Sequence, residues 1–283
     1  MRPSVKTLQE MKMSGEKITQ VTCYDYSSAR IVDESAIDMI LVGDSLGMTM
    51  QGYQDTLPVT MEEMIIYGRS VVRGTENTFV VVDMPFMSYQ EGPTQGLRNA
   101  GRLMKETGCQ AVKLEGGAEI ASTIQAITNA GIPVVAHVGM TPQSHNAFGG
   151  FKVQGKGEAN AERVLRDALA VQDAGAFAVT LECVPPRLST LITKKMDHCI
   201  TIGIGASSGC DAQVLVMQDM LGITRGRTPK FAKHFGEIGD AMLEAFNSYA
   251  SEVKATSYPA VEQTYVKSDC DEYFLKKLDE KYA

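Results

Sequence analysis

The stretch MILVGDSLGM, residues 39–48, decides how the rest of the chain is read. Met39, Ile40, Leu41 and Val42 run without a polar interruption, as a strand buried on both faces requires. The run then breaks on Gly43, Asp44 and Ser45. An aspartate in that place either caps the helix that follows or stands at the mouth of a site.

Runs of the same kind recur along the chain. They are KITQVTCYD (17–25), FVVVDMP (79–85), AVKLEGG (111–117), PVVAHVGM (133–140), FAVTLECV (177–184), CITIGIGAS (199–207) and QVLVM (213–217). Between most of them lie stretches of helical period. PTQGLRNAGRLMKETG (93–108) and AERVLRDALAVQDAG (161–175) space apolar residues at i, i+3, i+4 and i+7, and each closes on a glycine suited to a C-cap. The gap between the last two strands is too short for a regular helix. Eight strands alternating with helices predict a single (β/α)8 TIM barrel domain over residues 1–283, α/β in class, with extra helices at the N- and C-termini. A doubly wound open sheet is the runner-up. It lacks support, because no G-x-G-x-x-G follows the first strand and no G-x-x-x-x-G-K-[ST] occurs.

Bulk properties narrow the function classes. The 283 residues carry a formal charge of −7, which argues against nucleic acid or an anionic membrane as partner. No apolar stretch approaches the roughly 18–20 residues that span a bilayer. The polar start MRPSVKTLQEMKMSGEK has no apolar core of a secretory signal. The six cysteines lack C-x-x-C spacing, so reduced thiols are expected rather than a zinc site or disulfide framework.

The ends of the predicted strands are where polar residues gather. Asp44 and Ser45 close the second and Asp83 the third. Lys113 and Glu115 stand two apart near the end of the fourth, hence on one face. His137 lies late in the fifth and Glu182 late in the sixth. In a parallel barrel all of these reach one rim, where barrel enzymes carry their chemistry. Each residue singly has a plain structural reading: a helix cap, a solvated charge, a satisfied core histidine. Five consecutive strands ending this way favour a site.

Asp44, Asp83 and Glu115 supply three hard oxygen donors. Unpaired in one pocket they would repel and raise one another's pKa, and a divalent cation relieves that. Carboxylates without thiolates favour Mg²⁺. Lys113 adds a fixed charge for an anionic substrate, and Glu182 is a candidate proton acceptor. Cation, lysine and base together suit proton abstraction beside a carbonyl.

These segments also resemble the ketopantoate hydroxymethyltransferase family. The resemblance runs in order from about residue 4 to residue 260 and rests on L-V-G-D-S-L-G-M (41–48), VVDMPFMSYQ (81–90), GCQAVKLEGG (108–117), H-x-G-x-T-P-Q-S (137–144), LECVP (181–185) and GIGASSGCDAQ (203–213). It implies a barrel of the phosphoenolpyruvate mutase/isocitrate lyase kind and a Mg²⁺-dependent, aldol-type reaction. In that reaction 5,10-methylenetetrahydrofolate gives a one-carbon unit to 3-methyl-2-oxobutanoate, forming 2-dehydropantoate, the first step toward pantothenate. By position it implies metal roles for Asp44, Asp83 and Glu115, and 2-oxoacid binding by Asp44, Ser45, Asp83 and Lys113. It implies the proton-acceptor role for Glu182 and a place beside the substrate for His137. It further implies a cytoplasmic homo-oligomer, usually a decamer. Ser207 and Ala212 stand where the family's pattern has glycine, and a positive φ at either would require a different loop. Two rival readings stay open: a metal-dependent lyase or mutase of the same superfamily, and a barrel that only binds a 2-oxoacid.

Overall fold

The structure, a computed structural model, describes residues 2–266 and 269–283. Its strands are β1 (Ile18–Thr22), β2 (Met39–Val42), β3 (Phe79–Asp83), β4 (Ala111–Glu115), β5 (Val134–Gly139), β6 (Ala178–Glu182), β7 (Ile200–Ile204) and β8 (Ala212–Leu215). They pair in sequence order, all parallel, and β8 closes on β1. The eight predicted strands are thus present, and the sheet is the expected closed barrel.

The helices are α1 (Val5–Ser14), α2 (Tyr26–Asp33), α3 (Leu46–Thr49), α4 (Met61–Arg73), α5 (Pro93–Thr107), α6 (Ala121–Asn129), α7 (His145–Phe148), α8 (Glu158–Asp173), α9 (Pro186–Lys195), α10 (Met217–Met220), α11 (Ile238–Lys254) and α12 (Glu272–Tyr282). Local chemistry explains their limits. In α4, Thr60 and Glu63 form a capping box, each side chain accepting from the other's backbone amide. In α5, Pro93 fits the first turn, where its missing N–H costs nothing, and Gly108 at φ 81° ends the helix. Its buried residues Gly96, Ala100, Leu103 and Thr107 recur at helical spacing; Gly96 lies against Thr123 of α6 and Thr107 against Gly68 of α4. No helix forms between β7 and β8, as the short gap predicts; residues 205–211 return the chain directly.

Strand alternation sorts the barrel into layers. Ile18, Met39, Leu41, Phe79, Val81, Ala111, Val135, Ala178, Ile200, Ile202, Ala212 and Val214 pack into one cluster with Leu8 of α1. That cluster fills the barrel interior, and α1 supplies Leu8 to it from outside the sheet. The outward-facing residues of the same strands join the larger cluster shared with the surrounding helices. Because side chains alternate, residues two positions beyond the interior layer also point inward. Asp83 follows Val81, Lys113 follows Ala111, and His137 follows Val135.

Neither Ser207 nor Ala212 has a positive φ. Ala212 lies inside β8, and Ser207 accepts from the Gly209 amide at 2.9 Å and bonds Thr190 Oγ1 at 2.9 Å. Both residues are therefore accommodated without left-handed backbone at their own positions, and the left-handed residue of this loop is Gly205 at φ 59°. Among the described residues, no helix is long and apolar enough to cross a membrane. Helix α11 buries only Gly239, while Met242, Leu243, Phe246 and Tyr249 stay exposed.

Candidate functional site

The inward alternation places the polar residues above the apolar layer. Asp83 and Lys113 are register partners on β3 and β4, and the Lys113 ammonium donates to Asp83 Oδ1 at 2.5 Å. Glu115 and His137 are register partners on β4 and β5. His137 stands between two carboxylates: Nδ1 is 3.4 Å from Glu115 Oε1 and Nε2 is 3.4 Å from Glu182 Oε2. Asp44, Asp83, Lys113, Glu115 and His137 are all buried, and Glu182 is only slightly open.

Asp44 does not cap α3. Ser45 occupies the cap position, and no side chain bonds the first-turn amides. Instead the Asp44 amide donates to Asp83 Oδ2 at 3.0 Å, and Asp44 Oδ2 accepts from Gln143 Nε2 at 2.8 Å. Glycine at 43 leaves room for the Ser45 hydroxyl, because a Cβ there would lie 2.9 Å from Ser45 Oγ. Ser45 Oγ in turn bonds the buried Tyr24 hydroxyl at 2.8 Å. Burial pushes Tyr24 up to about 12, so it stays a neutral hydrogen-bonding group.

Gln143 is the residue the sequence reading passed over. It lies in the quoted H-x-G-x-T-P-Q-S segment just beyond β5, and it is buried. Its backbone amide donates to Glu115 Oε2 at 2.9 Å. Its side-chain nitrogen donates to Asp44 Oδ2 and to the Met84 carbonyl at 3.0 Å. Its oxygen accepts from Tyr89 Oη at 2.7 Å and Gln90 Nε2 at 3.2 Å. Two donors behind the oxygen fix the amide orientation, so its nitrogen must face Asp44. The sequence carried no signal for this, because a polar loop residue has no periodicity to betray its direction.

Backbone conformation is unusual beside Glu182. Cys183 has φ 49°, which is rare for a residue with a side chain and recurs at functional sites. Gly139 has φ 94°, and a Cβ there would press into the Glu182 carbonyl. The Met140 amide donates to that same carbonyl at 2.9 Å. Glycine at 139 thus lets the end of β5 close tightly on the backbone of Glu182.

The electrostatics ask for a cation. Burial, then the neighbouring Glu115 and Asp83, hold the Asp44 carboxyl well above the usual carboxylate range. Burial opposes the Lys113 ammonium, but Asp83, Glu115 and Asp44 around it more than compensate and raise its pKa. Burial likewise opposes the charged His137, yet Glu115 and Glu182 push it up to about 9. Four carboxylates therefore face two cationic side chains. Among the described residues, no three His, Cys, Asp or Glu side chains close into a ready metal cage. Lys113 and the Asp44 amide each take one oxygen of Asp83, and Gln143 and His137 hold Glu115. Asp44 Oδ1 receives no hydrogen bond from a described residue. That donor set fits Mg²⁺, which binds through one or two carboxylates and completes its shell with water and substrate.

All the sequence-predicted residues, Asp44, Ser45, Asp83, Lys113, Glu115, His137 and Glu182, line one cavity of about 960 Å³ at the C-terminal ends of the strands. Its outer part is walled by the loops after β2 and β5 and by residues 223–231.

A family model described as ketopantoate hydroxymethyltransferase matches residues 2–261. A relative from Clostridium novyi (strain NT), named 3-methyl-2-oxobutanoate hydroxymethyltransferase, is 54% identical over 278 residues, covering 98% of this chain and 100% of its own. One of the same name from Enterococcus faecalis is 54% identical over 95% of this chain and 98% of its own. Among solved structures, 2,3-dimethylmalate lyase, a PEP mutase/isocitrate lyase superfamily member, aligns over 100% of both chains with a TM-score of 0.57 at 15% identity. A phosphonopyruvate hydrolase solved with oxalate and Mg²⁺ aligns over 98% of this chain and 95% of its own, with a TM-score of 0.57 at 12% identity. At such identities these two share the fold.

Proposed function

The chain belongs to the ketopantoate hydroxymethyltransferase family, and on that premise we propose that it moves a one-carbon unit from 5,10-methylenetetrahydrofolate to 3-methyl-2-oxobutanoate, yielding 2-dehydropantoate. It is an enzyme, and the family's reaction is the first step of pantothenate biosynthesis. The observation that carries the reading is the placement of Lys113 and Glu182 in one cavity with Asp44, Asp83 and Glu115.

Asp44 and Asp83 would hold Mg²⁺, with Glu115 reaching it through water. When bound, the ion polarises the keto oxygen of the 2-oxoacid and so acidifies the adjacent C3–H. Lys113 places a point charge beside the substrate carboxylate, and Ser45, held by Tyr24, offers a hydroxyl there. Glu182 takes the C3 proton. It belongs to a different strand from the metal carboxylates, and His137 separates it from Glu115, so it can act as a base without joining the metal set. His137 Nε2, 3.4 Å from Glu182 Oε2, also helps to aim that carboxylate. The electron pair left at C3 forms the new bond to the donor's methylene carbon. Overall the C3–H bond breaks and a C3–CH₂OH bond forms; one water supplies the hydroxyl oxygen, and the two donor nitrogens leave protonated as tetrahydrofolate.

The same proposal includes one barrel domain over 1–283, cytoplasmic location and a large homo-oligomer, in the family's usual form a decamer. The exposed apolar face of α11 supports assembly, because monomers seldom leave such a stripe wet. A turnover assay with both substrates tests the function: 2-dehydropantoate must appear only when 2-oxoacid, folate donor and divalent cation are all present. Relatives at 54% identity carry the transferase name, whereas the lyase of the same fold is 15% identical, which disfavours the lyase or mutase reading.

A further inference from the structure

The cavity of about 960 Å³ lies at the upper end of the roughly 300–1,000 Å³ that encloses drug-sized ligands. A small branched 2-oxoacid fills only its floor. The outer part has a composition of its own. Met48, Tyr53 and Phe151 line it and are 39%, 38% and 57% exposed, with Phe231 beside them half-buried. Apolar side chains grouped at the mouth of a polar site mark a surface that a ligand covers.

Two of these rings are fixed in advance. Phe151 stacks on His145 with centroids 5.7 Å apart and planes 6° from parallel, and His145 is itself held by the Pro142 carbonyl at 3.0 Å. Phe231 lies against Gly205, where a Cβ would meet Cδ1 of the ring at 2.7 Å. Preset rings cost little entropy when a flat ligand slides between or against them. Charge at the mouth is positive and uncommitted. Arg225 is engaged by Asp240 at 2.7 Å, but Lys152 and Arg227 line the cavity and form no ion pair among the described residues.

We propose that this outer part is the subsite of the one-carbon donor: Phe151 and Phe231 take its flat heteroaromatic ring system, and Lys152 and Arg227 take the carboxylates of its glutamyl tail. The inference rests on the functional reading above and adds to it the residues that recognise the second substrate. The polarity is set by the site. The reactive carbon must reach the floor, where Glu182 and Lys113 stand, so the anionic end of the donor must point outward to the two cations.

The experiment separates donor recognition from the chemistry on the floor. Phe151→Ala, Phe151→Tyr and the double variant Lys152→Ala/Arg227→Ala are each measured in two ways. The first is KM for methylenetetrahydrofolate, as monoglutamate and as triglutamate. The second is exchange of the C3 proton of 3-methyl-2-oxobutanoate with D₂O, with Mg²⁺ and no donor. Loss of the Phe151 ring should raise donor KM about tenfold, the scale of ring stacking on an aromatic side chain. Phe151→Tyr keeps the stacking face and should restore it. Loss of both exposed cations should raise KM by about threefold for the monoglutamate and more for the triglutamate. Exchange should persist in every variant. Unchanged donor KM in both Phe151→Ala and the double variant would overturn the subsite, and so would loss of exchange alongside the KM change, since that reports damage to the floor. A wild-type enzyme that neither exchanges nor forms product would instead overturn the functional reading itself.

Discussion

The Gln143 side-chain nitrogen donates to Asp44 Oδ2 at 2.8 Å, and the orientation of that amide is dictated from behind by Tyr89 and Gln90. Gln143 also holds Glu115 through its backbone amide. A single loop residue therefore ties together carboxylates from two non-adjacent strands. Replacing it should weaken metal binding without removing any ligand. Gln143→Ala should raise the Mn²⁺ dissociation constant about 10- to 100-fold, the usual scale for a residue that orients metal ligands. Tyr89→Phe should have a smaller effect in the same direction. Mn²⁺ titration followed by electron paramagnetic resonance checks this; wild-type affinity in Gln143→Ala would remove the residue from that role.

Lys113 and Asp83 form a buried pair, so the two obvious substitutions should behave differently. Lys113→Ala leaves Asp83 buried beside Asp44 and Glu115 with its partner gone, and should cost about 3–5 kcal/mol of stability. Lys113→Arg keeps the charge but brings a larger planar fork where a compact ammonium fits. It should remain folded while binding 3-methyl-2-oxobutanoate at least about tenfold more weakly. Calorimetric titration of the 2-oxoacid, read beside the melting temperature, distinguishes the two. Wild-type affinity in Lys113→Arg would place the substrate elsewhere.

Much of this arrangement was legible in the sequence, and the reason is periodicity. Val81–Asp83 and Ala111–Lys113–Glu115 share a parity, so once the runs were read as parallel strands, the polar residues had to face inward at one end. The missing helix between β7 and β8 followed from chain length alone. What escaped was whatever depends on loops. Gln143 and Tyr89 lie outside strands, where direction has no period. The position of His137 between Glu115 and Glu182 depends on the register of three strands, which apolar runs do not specify. Asp44 reads equally as a cap or as a site residue in the sequence, and only the bond from its amide to Asp83 Oδ2 decides between them.

Gly139 offers a test of backbone precision. Alanine there is strained at φ 94°, and its Cβ must displace the Glu182 carbonyl. Gly139→Ala should lower stability by about 1–3 kcal/mol. Its kcat should fall further than stability explains, since the backbone carrying Glu182 moves. Thermal melts paired with kcat at a temperature well below the melting point measure both effects. Wild-type kcat would show that the position of Glu182 tolerates the shift.

Acid stability should depend on Asp33, far from the site. Burial alone would raise its pKa, but the amides of Glu76, Asn77 and Thr78 and the Thr78 hydroxyl donate to its carboxylate and bring it down to about 2. A depressed folded-state pKa contributes stability above the ordinary value of 3.8, and that contribution is lost as pH falls toward 2. Asp33→Ala should therefore lower the melting temperature at pH 7, with the gap from wild type narrowing between pH 4 and pH 2. A gap that stays constant across that window would contradict the assignment.

The central claim is that Glu182 removes the C3 proton of the 2-oxoacid, and deuterium exchange tests it most directly because it needs no donor. With Mg²⁺ and 3-methyl-2-oxobutanoate in D₂O, the wild-type enzyme should exchange the C3 proton, followed by nuclear magnetic resonance. Glu182→Gln keeps the shape of the side chain and removes its basicity, so exchange should fall by about 10²- to 10⁴-fold while 2-oxoacid and Mn²⁺ still bind. Exchange at the wild-type rate in Glu182→Gln would contradict the account and pass the role of base to another residue of the cavity, with His137 first in line.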